Sequence, residues 1–320
     1  MTLTTHHLTI TAEALTLLEL DGQSGAALRG ALANGLYDRF CANKAAPSCA
    51  ACPLLRLCPV AALIAPMREE GQPGSDQQPR PYVLRPPTDG PRRYAPGAQL
   101  QFGLGLFGHA AALFPYVVLA AQALEDGGLG RKLPELGFQR GRLRLLAIDA
   151  HDPLAGTVAP LYRHGERQVQ SPGLPIDAAA VAAFAARLPS DRLTLRLHTP
   201  MRLIEQDRLL KKLALRPLIQ RLMRRLDDLS LAYGSGPLGI DFRALLAHAE
   251  TVQVAEDTTR WVDVVSYSSH RDQRTPIGGL VGTATFVGDL GPLRALLVWG
   301  SLIHVGKNAV KGDGWYSLAA

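Results

Sequence analysis

The sequence predicts an α+β protein built from two tandem ferredoxin-like (RRM-like) domains, with a small four-cysteine insertion in the first domain. Three observations lead to this prediction. A chain of 320 residues corresponds to roughly two domains at about 150 residues each. The 47% of hydrophobic residues is enough for each domain to bury a core. Strand and helix patterns also occur twice in the order βαββαβ. The expected domains are residues 1–186, with the insertion at 41–66, and residues 187–320.

In the first domain, the spacing of apolar side chains predicts each element in turn. Four apolar residues, Leu28, Leu32, Leu36 and Phe40, recur every fourth position and form one buried stripe of a helix that Ser24 caps. A glycine-rich turn at Gly127–Gly130 ends the second helix. The predicted elements are a strand within 6–20, a helix at 24–40, a short strand near Tyr82–Leu84 inside a loop at 69–93, a strand at Gln99–Phe107, a helix at Ala110–Leu124 and a strand at Arg140–Ile148.

The second domain repeats this order after a passage rich in Pro and Ala at residues 171–190. Leu193, Leu195 and Leu197 alternate with polar residues, as in a half-buried strand. Leucines between Leu215 and Leu229 recur at helical spacing. The predicted elements are a strand at Asp191–Ile204, a helix at 210–230, a short helix at Phe242–Ala249, strands at Val252–Tyr267 and Gly279–Val287, a helix at Pro292–Ile303 and a last strand at Trp315–Leu318.

The charge of the chain is unevenly distributed. The net charge is +6, and the segment from Arg196 to Arg225 holds nine Lys and Arg residues against only two acids, Glu205 and Asp207. A basic stripe of this kind suits a polyanion such as a nucleic acid. A solvated helix face would give the same pattern, so the stripe alone leaves both interpretations open.

All cysteines of the chain lie in one short segment, at Cys41, Cys49, Cys52 and Cys58. Four thiolates on a compact loop suit a tetrahedral zinc ion, and a pair separated by two residues is the commonest half of such a site. An iron–sulfur cluster uses the same ligands, and four unrelated thiols are the third alternative. Because four protein ligands leave no open position, we expect a structural metal, most simply Zn²⁺.

The segment from Gly300 to Tyr316 contains four glycines and two lysines between a helix and the last strand. Glycine lets backbone N–H groups approach phosphate closely, and lysine supplies positive charge. The segment is not a Walker loop, because Asn308 follows the Gly-Lys pair where Ser or Thr is needed.

Four segments together resemble a known family. They are Gly306-Lys307-x4-Gly312-x-Gly314-x-Tyr316, the glycine-rich strand Gly278–Gly282, the segment Leu197–Leu203, and Ala27–Leu32 followed by a Cys-Pro-Leu-x-x-x-Cys-Pro run. In their order along the chain they are similar to the CRISPR-associated endoribonucleases that process precursor CRISPR RNA, the sixth Cas family of the RAMP superfamily, in a cysteine-bearing form.

This resemblance implies an endoribonuclease that grips a CRISPR repeat hairpin with two ferredoxin-like domains and cuts it to give mature crRNA. The implied chemistry is a metal-independent transesterification, in which the RNA 2′-hydroxyl attacks the adjacent phosphate and leaves a 2′,3′-cyclic phosphate. The expected catalytic residues are His304, Lys307, Tyr37 and His270. The expected RNA-binding residues are Arg271, Arg274, Gly306, Lys311, Gly312 and Gly314, with Arg221, Arg224 and Arg225 on the basic helix.

The sequence departs from the family pattern at one place. Many members carry a catalytic histidine shortly after the first helix, whereas here no histidine occurs between His7 and His109. The alternative function is therefore a non-catalytic RAMP subunit that binds crRNA beside other Cas subunits of an effector complex. No apolar stretch reaches the roughly 18–20 residues that span a bilayer, and no signal peptide is recognisable, so a cytoplasmic protein is expected.

Overall fold

The structure is a computed structural model that describes residues 3–68, 77–88, 90, 92–268 and 273–319. Contacts divide the chain into two units. The first unit contains residues 3–175 with 231–234, and the second contains residues 176–230 with 235–319. The junction expected near residue 186 lies within a helix of the second unit.

The first unit contains thirteen helices and strands among its described residues. They are β1 (Thr5–Ala14), β2 (Leu18–Leu20), α1 (Gly25–Phe40), α2 (Pro59–Ile64), β3 (Tyr82–Arg85), β4 (Arg92–Tyr94), β5 (Gln99–Phe107), α3 (Phe114–Gln122), α4 (Leu124–Gly127), β6 (Leu129–Leu133), β7 (Gln139–Gly141), β8 (Leu143–Asp152) and β9 (Thr157–Arg163).

The main sheet of the first unit has the strand order β3-β5-β1-β8-β9, with antiparallel neighbours. Its first four strands reproduce the ferredoxin-like order of second, third, first and fourth strand, and β9 adds an edge. The apolar stripe of α1 supplies part of the core, because Leu28, Leu32 and Leu36 are buried. Phe40 is half-buried and packs edge-on against Tyr116 at 5.2 Å between ring centroids.

The second unit is formed by α5 (Ala178–Arg187), β10 (Arg192–Met201), β11 (Ile204–Glu205), β12 (Arg208–Leu209), α6 (Leu215–Tyr233), α7 (Phe242–Ala249), β13 (Gln253–Asp257), β14 (Arg260–Val262), β15 (Val265–Ser268), β16 (Gln273–Pro276), β17 (Gly279–Val287), α8 (Arg294–Ile303) and β18 (Tyr316–Ala319). The last three residues of α6 are counted with the first unit.

The sheet of the second unit has the order β13-β17-β10-β18, and β14 also pairs with β17. This is again the ferredoxin-like order, so the predicted double ferredoxin-like fold is confirmed. The alternating leucines of β10 are fully buried or nearly so, and those of α6 line the same core. The central position of β10, paired with both β17 and β18, fixes the segment that follows it, which positions the site described below.

Several predicted elements are divided in the structure. The first strand stops at Ala14 and resumes as β2, which pairs with β4. The helix predicted from Ala110 begins as a 3₁₀ turn at Gly108–Leu113, and α3 starts where Pro115 occupies its first turn. The strand predicted over 252–267 is three separate strands, β13, β14 and β15.

Candidate RNA-binding and cleavage site

The glycine-rich segment forms a tightly folded loop between α8 and β18. Gly306 has a φ of 94° and Gly314 a φ of 71°, in the left-handed region that only glycine adopts freely. A Cβ atom on Gly306 would lie 2.6 Å from the Arg202 carbonyl oxygen, and one on Gly314 would lie 1.8 Å from that of Val305. Both positions therefore require glycine for two reasons, the backbone conformation and the close approach of another backbone segment.

Backbone hydrogen bonds join this loop to the end of β10. The Lys307 N–H donates to the Arg202 carbonyl at 3.0 Å, and the Gly314 N–H donates to the Pro200 carbonyl at 3.0 Å. The buried Thr199 hydroxyl donates to the Gly312 carbonyl at 2.7 Å and accepts from the Trp315 N–H at 2.9 Å. The loop is thus fixed to the sheet at both ends, and its amides are already ordered before any ligand binds.

The side chains of the loop combine two lysines with one buried acid. Lys307 is exposed and Lys311 is half-buried, whereas Asp313 is only 4% exposed. Burial raises the pKa of the Asp313 carboxyl to about 7, against the opposing influence of Lys311, Asn308 and Arg202. When Asp313 is protonated, the loop presents the charges of its lysines without an internal negative charge.

His304, the predicted acid or base, begins the loop but does not reach the surface. Its side chain is 0% exposed, and its ring stacks on Trp315 with 6.2 Å between centroids and 13° between planes. A general base must lie within hydrogen-bond reach of the proton that it removes. We therefore interpret His304 in this conformation as a packing residue, and Lys307 as the predicted site residue that is open to substrate.

The basic helix α6 divides its arginines between internal and exposed positions. The Arg225 guanidinium donates to the carbonyls of Ile303 at 2.9 Å and His304 at 3.0 Å, and burial lowers its pKa to about 10. Arg221 donates to the Ile204 carbonyl at 2.9 Å. Arg224 is exposed. Two of the three predicted RNA contacts therefore hold backbone carbonyls of the unit itself, and Arg224 is the one available to a ligand.

Another predicted RNA contact, Arg274, lies in the hairpin formed by β15 and β16. Arg274 is exposed on β16, opposite Tyr267 in the register of the hairpin. His270 and Arg271 lie outside the described residues.

A cluster around Trp261 was missed by the sequence reasoning. Trp261 is half-buried on β14, and the Lys211 ammonium lies 3.3 Å from the centroid of its ring. The Arg202 guanidinium carbon lies 5.7 Å from the same centroid, and the indole N–H donates to Asp263 at 2.8 Å. The only available signal was a tryptophan that follows a long basic segment, which composition alone does not distinguish from a core residue.

The predicted catalytic Tyr37 lies near the carboxyl end of α1 in the first unit. Burial, together with the nearby Cys41 and Cys49 thiols and Asp38, raises the pKa of the phenol. The Lys44 ammonium lies 5.9 Å from the centroid of the Tyr37 ring and donates to the Asp38 carbonyl at 3.0 Å. A protonated phenol and an ammonium thus lie side by side on a partly exposed surface.

The four cysteines are free thiols, each half-buried. Burial raises the pKa of the Cys49 thiol, and the nearby thiols of Cys58, Cys41 and Cys52 raise it further. The Asn43 amide donates to the Cys52 sulfur at 3.6 Å. The thiols therefore face a common region. Among the residues that the structure describes, however, no group of three or more His, Cys, Asp or Glu side chains is arranged to hold a metal ion. Zinc binding by Cys41, Cys49, Cys52 and Cys58 therefore stays a prediction.

Comparison with known families identifies the chain. Residues 3–174 match the family AF_1859_N, an N-terminal domain, and residues 195–316 match the CRISPR-associated endoribonuclease Cas6 family. The first match covers more than half of the chain, so the chain belongs to that family. The second match includes the glycine-rich loop, so the second unit is similar to the Cas6 family over residues 195–316. No curated protein matches the sequence.

Solved structures agree with this fold. A Cas6 product complex superposes with a TM-score of 0.55 and 15% identity over 99% of both chains. Cas6 from Thermus thermophilus gives 0.54 and 14% over the full length of both chains. A partial Cas6-RT-Cas1–Cas2 complex gives 0.59 and 12%, where 99% of this chain covers 46% of the other. This chain thus spans less than half of that longer protein. Within the described part of the chain, no helix is long and apolar enough to cross a membrane.

Proposed function

We propose that this protein is an endoribonuclease that binds repeat hairpins in precursor CRISPR RNA and cleaves them to mature crRNA. The observation that carries the proposal is the glycine-rich loop, which lies inside the region that matches the Cas6 family. Its backbone is anchored to β10, and it presents the exposed Lys307 beside Lys311. Lysine side chains held on an ordered backbone are suited to RNA phosphates.

We infer a metal-independent transesterification as the reaction. A general base removes the proton of the RNA 2′-hydroxyl, and the 2′-oxygen attacks the adjacent phosphorus in line. The bond from phosphorus to the 5′-oxygen breaks, and a general acid protonates that oxygen. The products are a 2′,3′-cyclic phosphate and a 5′-hydroxyl. The RNA supplies its own nucleophile, so the protein has to provide only proton transfer and charge stabilisation.

We assign roles to the side chains that are accessible to substrate. Tyr37 is suited to protonate the leaving 5′-oxygen, because a phenol carries its proton at neutral pH. Lys44 is placed beside it as a cation for the phosphorane. Lys307 would hold a phosphate at the glycine-rich loop. His270 remains a candidate base by prediction, and we assign His304 to packing the loop.

The decisive experiment incubates the protein with a labelled repeat RNA in EDTA. We expect cleavage to persist, and a 2′-deoxy substitution just upstream of the cut should abolish it because the nucleophile is missing. Selective binding without cleavage would instead support the non-catalytic RAMP subunit, an alternative that the burial of His304 favours.

Variants then test the roles. Tyr37→Phe should slow single-turnover cleavage by about a hundred- to ten-thousand-fold with repeat affinity unchanged, as expected for a general acid. Tyr116→Phe, a half-buried tyrosine of the same unit, is the matched control. His304→Ala should lower melting temperature and RNA affinity together. A loss of cleavage rate without a loss of stability or RNA affinity would instead support a catalytic role for His304.

We further propose Cas proteins as partners. A similar structure is titled as a complex of Cas6, RT and Cas1 with Cas2. Association of this chain with Cas1 and Cas2, or with subunits of an effector complex, would be detected by co-purification from cells that carry the whole CRISPR locus.

A further inference from the structure

The surface around Trp261 combines an aromatic face with two cations. Trp261 is half-buried on β14, and its position is fixed by pairing with Leu280 of β17. Its indole N–H donates to the Asp263 carboxylate, which sets the orientation of the ring. One edge of the ring is therefore anchored, and the Lys211 ammonium lies 3.3 Å from its centroid.

This cluster is connected to the glycine-rich loop through Arg202. The carbonyl of Arg202 accepts the N–H of Lys307, and its guanidinium donates to the Gly278 carbonyl at 2.9 Å. The same guanidinium lies 5.7 Å from the centroid of the Trp261 ring. A strand of RNA bound at Lys307 would have its next phosphates and bases within reach of this ring.

From this arrangement we propose that Trp261 binds an unpaired nucleotide of the RNA, with the base stacked on the indole and its phosphate paired with Lys211 and Arg202. The inference rests on the proposed RNA-binding function and adds a site for single-stranded RNA. Proteins commonly bind unpaired bases by such aromatic platforms, which have basic side chains at their margins.

The relative strengths of the interactions favour occupation by a base. A cation–π contact at an exposed site amounts to a factor of about 2–5 in an equilibrium constant. Stacking of a base on an aromatic side chain amounts to a factor of about 5–150 per base. Lys211 is exposed just after the β11–β12 hairpin, so its ammonium can leave the ring and pair with the phosphate. Lys211 would then contact the phosphate of the nucleotide, and the face of the Trp261 ring would be free for the base.

Intrinsic fluorescence tests the site in the folded wild-type protein. The probes are a short single-stranded oligouridylate and a repeat hairpin with no unpaired flank. A base stacked on Trp261 quenches its emission, so we expect quenching by the oligouridylate and loss of that quenching in Trp261→Phe. Phenylalanine keeps a stacking face, so affinity should fall by less than about fivefold. Unchanged quenching in Trp261→Phe would overturn the proposal.

Affinity measurements provide the second test. Trp261→Ala should weaken binding of a hairpin with a single-stranded flank by about 5–150-fold and leave the blunt hairpin unaffected. Equal affinity for the flanked RNA, or an equal loss on both RNAs, would overturn the proposal. If the alanine variant does not fold, Lys211→Gln replaces it, with the adjacent exposed Lys212→Gln as the matched control. Lys211→Gln should weaken the flanked complex more than Lys212→Gln, and equal effects of the two would overturn the site.

The two levels of inference fail in different ways. A wild-type protein that binds neither RNA removes the proposed function and this site with it. A wild-type protein that binds the repeat hairpin, but whose Trp261 variants bind the flanked RNA as the wild type does, removes this site alone.

Discussion

Replacing Asp313 by asparagine should stabilise the second unit at neutral and alkaline pH, less in mild acid, and not below about pH 4. The Asp313 carboxyl is buried in the glycine-rich loop, and its pKa is raised from 3.8 to about 7. A carboxyl with a higher pKa in the folded state favours folding while it is protonated. That stability is present below about pH 4 and is lost as the pH rises through about 7. Asparagine keeps the shape of the side chain but cannot ionise.

The magnitude follows from the difference between the two pKa values. At about 1.36 kcal/mol for each pKa unit, the cost of ionising Asp313 in the folded state reaches about 4 kcal/mol above pH 7. At pH 5 the loss of folding stability is only about 1.5 kcal/mol, because the carboxyl stays mainly protonated in the folded protein while it ionises in the unfolded chain. The stability advantage of Asp313→Asn should therefore widen by about 3 kcal/mol between pH 5 and pH 8.

Tryptophan fluorescence during urea unfolding measures the stability of the second unit specifically. The three tryptophans of the chain, Trp261, Trp299 and Trp315, all lie in the second unit. Asp207→Asn is the matched control, because Asp207 is exposed on the turn between β11 and β12 and its replacement should change stability by less than about 0.5 kcal/mol. An advantage of Asp313→Asn that stays constant from pH 5 to pH 8 would refute the reasoning.

Three further predictions concern the metal, the basic helix and the loop. Protein purified without added metal should carry about one equivalent of zinc, and the Cys52→Ser variant should lose the zinc and have a less stable first unit. Bound iron would indicate an iron–sulfur cluster, and metal-free protein would contradict the prediction. Arg224→Ala should weaken RNA binding and flatten its salt dependence, whereas Arg225→Ala should mainly lower the stability of the protein. If the two variants changed RNA affinity and stability equally, the different environments of the two arginines would not matter, contrary to this prediction. Gly314→Ala should destabilise the second unit by more than about 1–2 kcal/mol, the cost of the left-handed backbone alone. Gly239→Ala, at a φ of 63° with nothing within 4 Å of the added Cβ, isolates that cost, and equal losses would contradict the close approach of Val305.

The sequence predicted the fold because the main elements of both units carry clear apolar periodicity. The alternating leucines of β10 and the helical leucines of α6 are buried in the structure as their spacing required. Elements without such a pattern were missed. Strand β9 is partly exposed at a sheet edge, and β16 pairs with β15 in a separate two-stranded sheet. Their pairing depends on neighbouring strands, which periodicity along the chain does not report.

The glycine-rich loop was predictable from the sequence, whereas the burial and contacts of the individual side chains around it were not. The glycine spacing indicated an ordered loop, and the structure contains an ordered loop between α8 and β18. The burial of His304 depends on stacking with Trp315, and the use of Arg225 depends on the end of α8. Both are tertiary contacts between residues distant in the chain. An arginine that donates to a backbone carbonyl cannot be distinguished in sequence from one that faces solvent. The basic stripe therefore predicted RNA contacts at all three arginines of α6, although two of them donate to carbonyls.

The attachment of the glycine-rich loop to β10 makes the loop and the last strand depend on each other. Thr199 and Gly312 are separated by 113 residues in the chain, so their hydrogen bond joins two distant segments of the second unit. Because β18 follows the loop directly and pairs with β10, separation of β18 from the sheet would also disrupt the loop. RNA that binds the intact loop, as proposed above, would therefore disfavour the detachment of β18 by mass action.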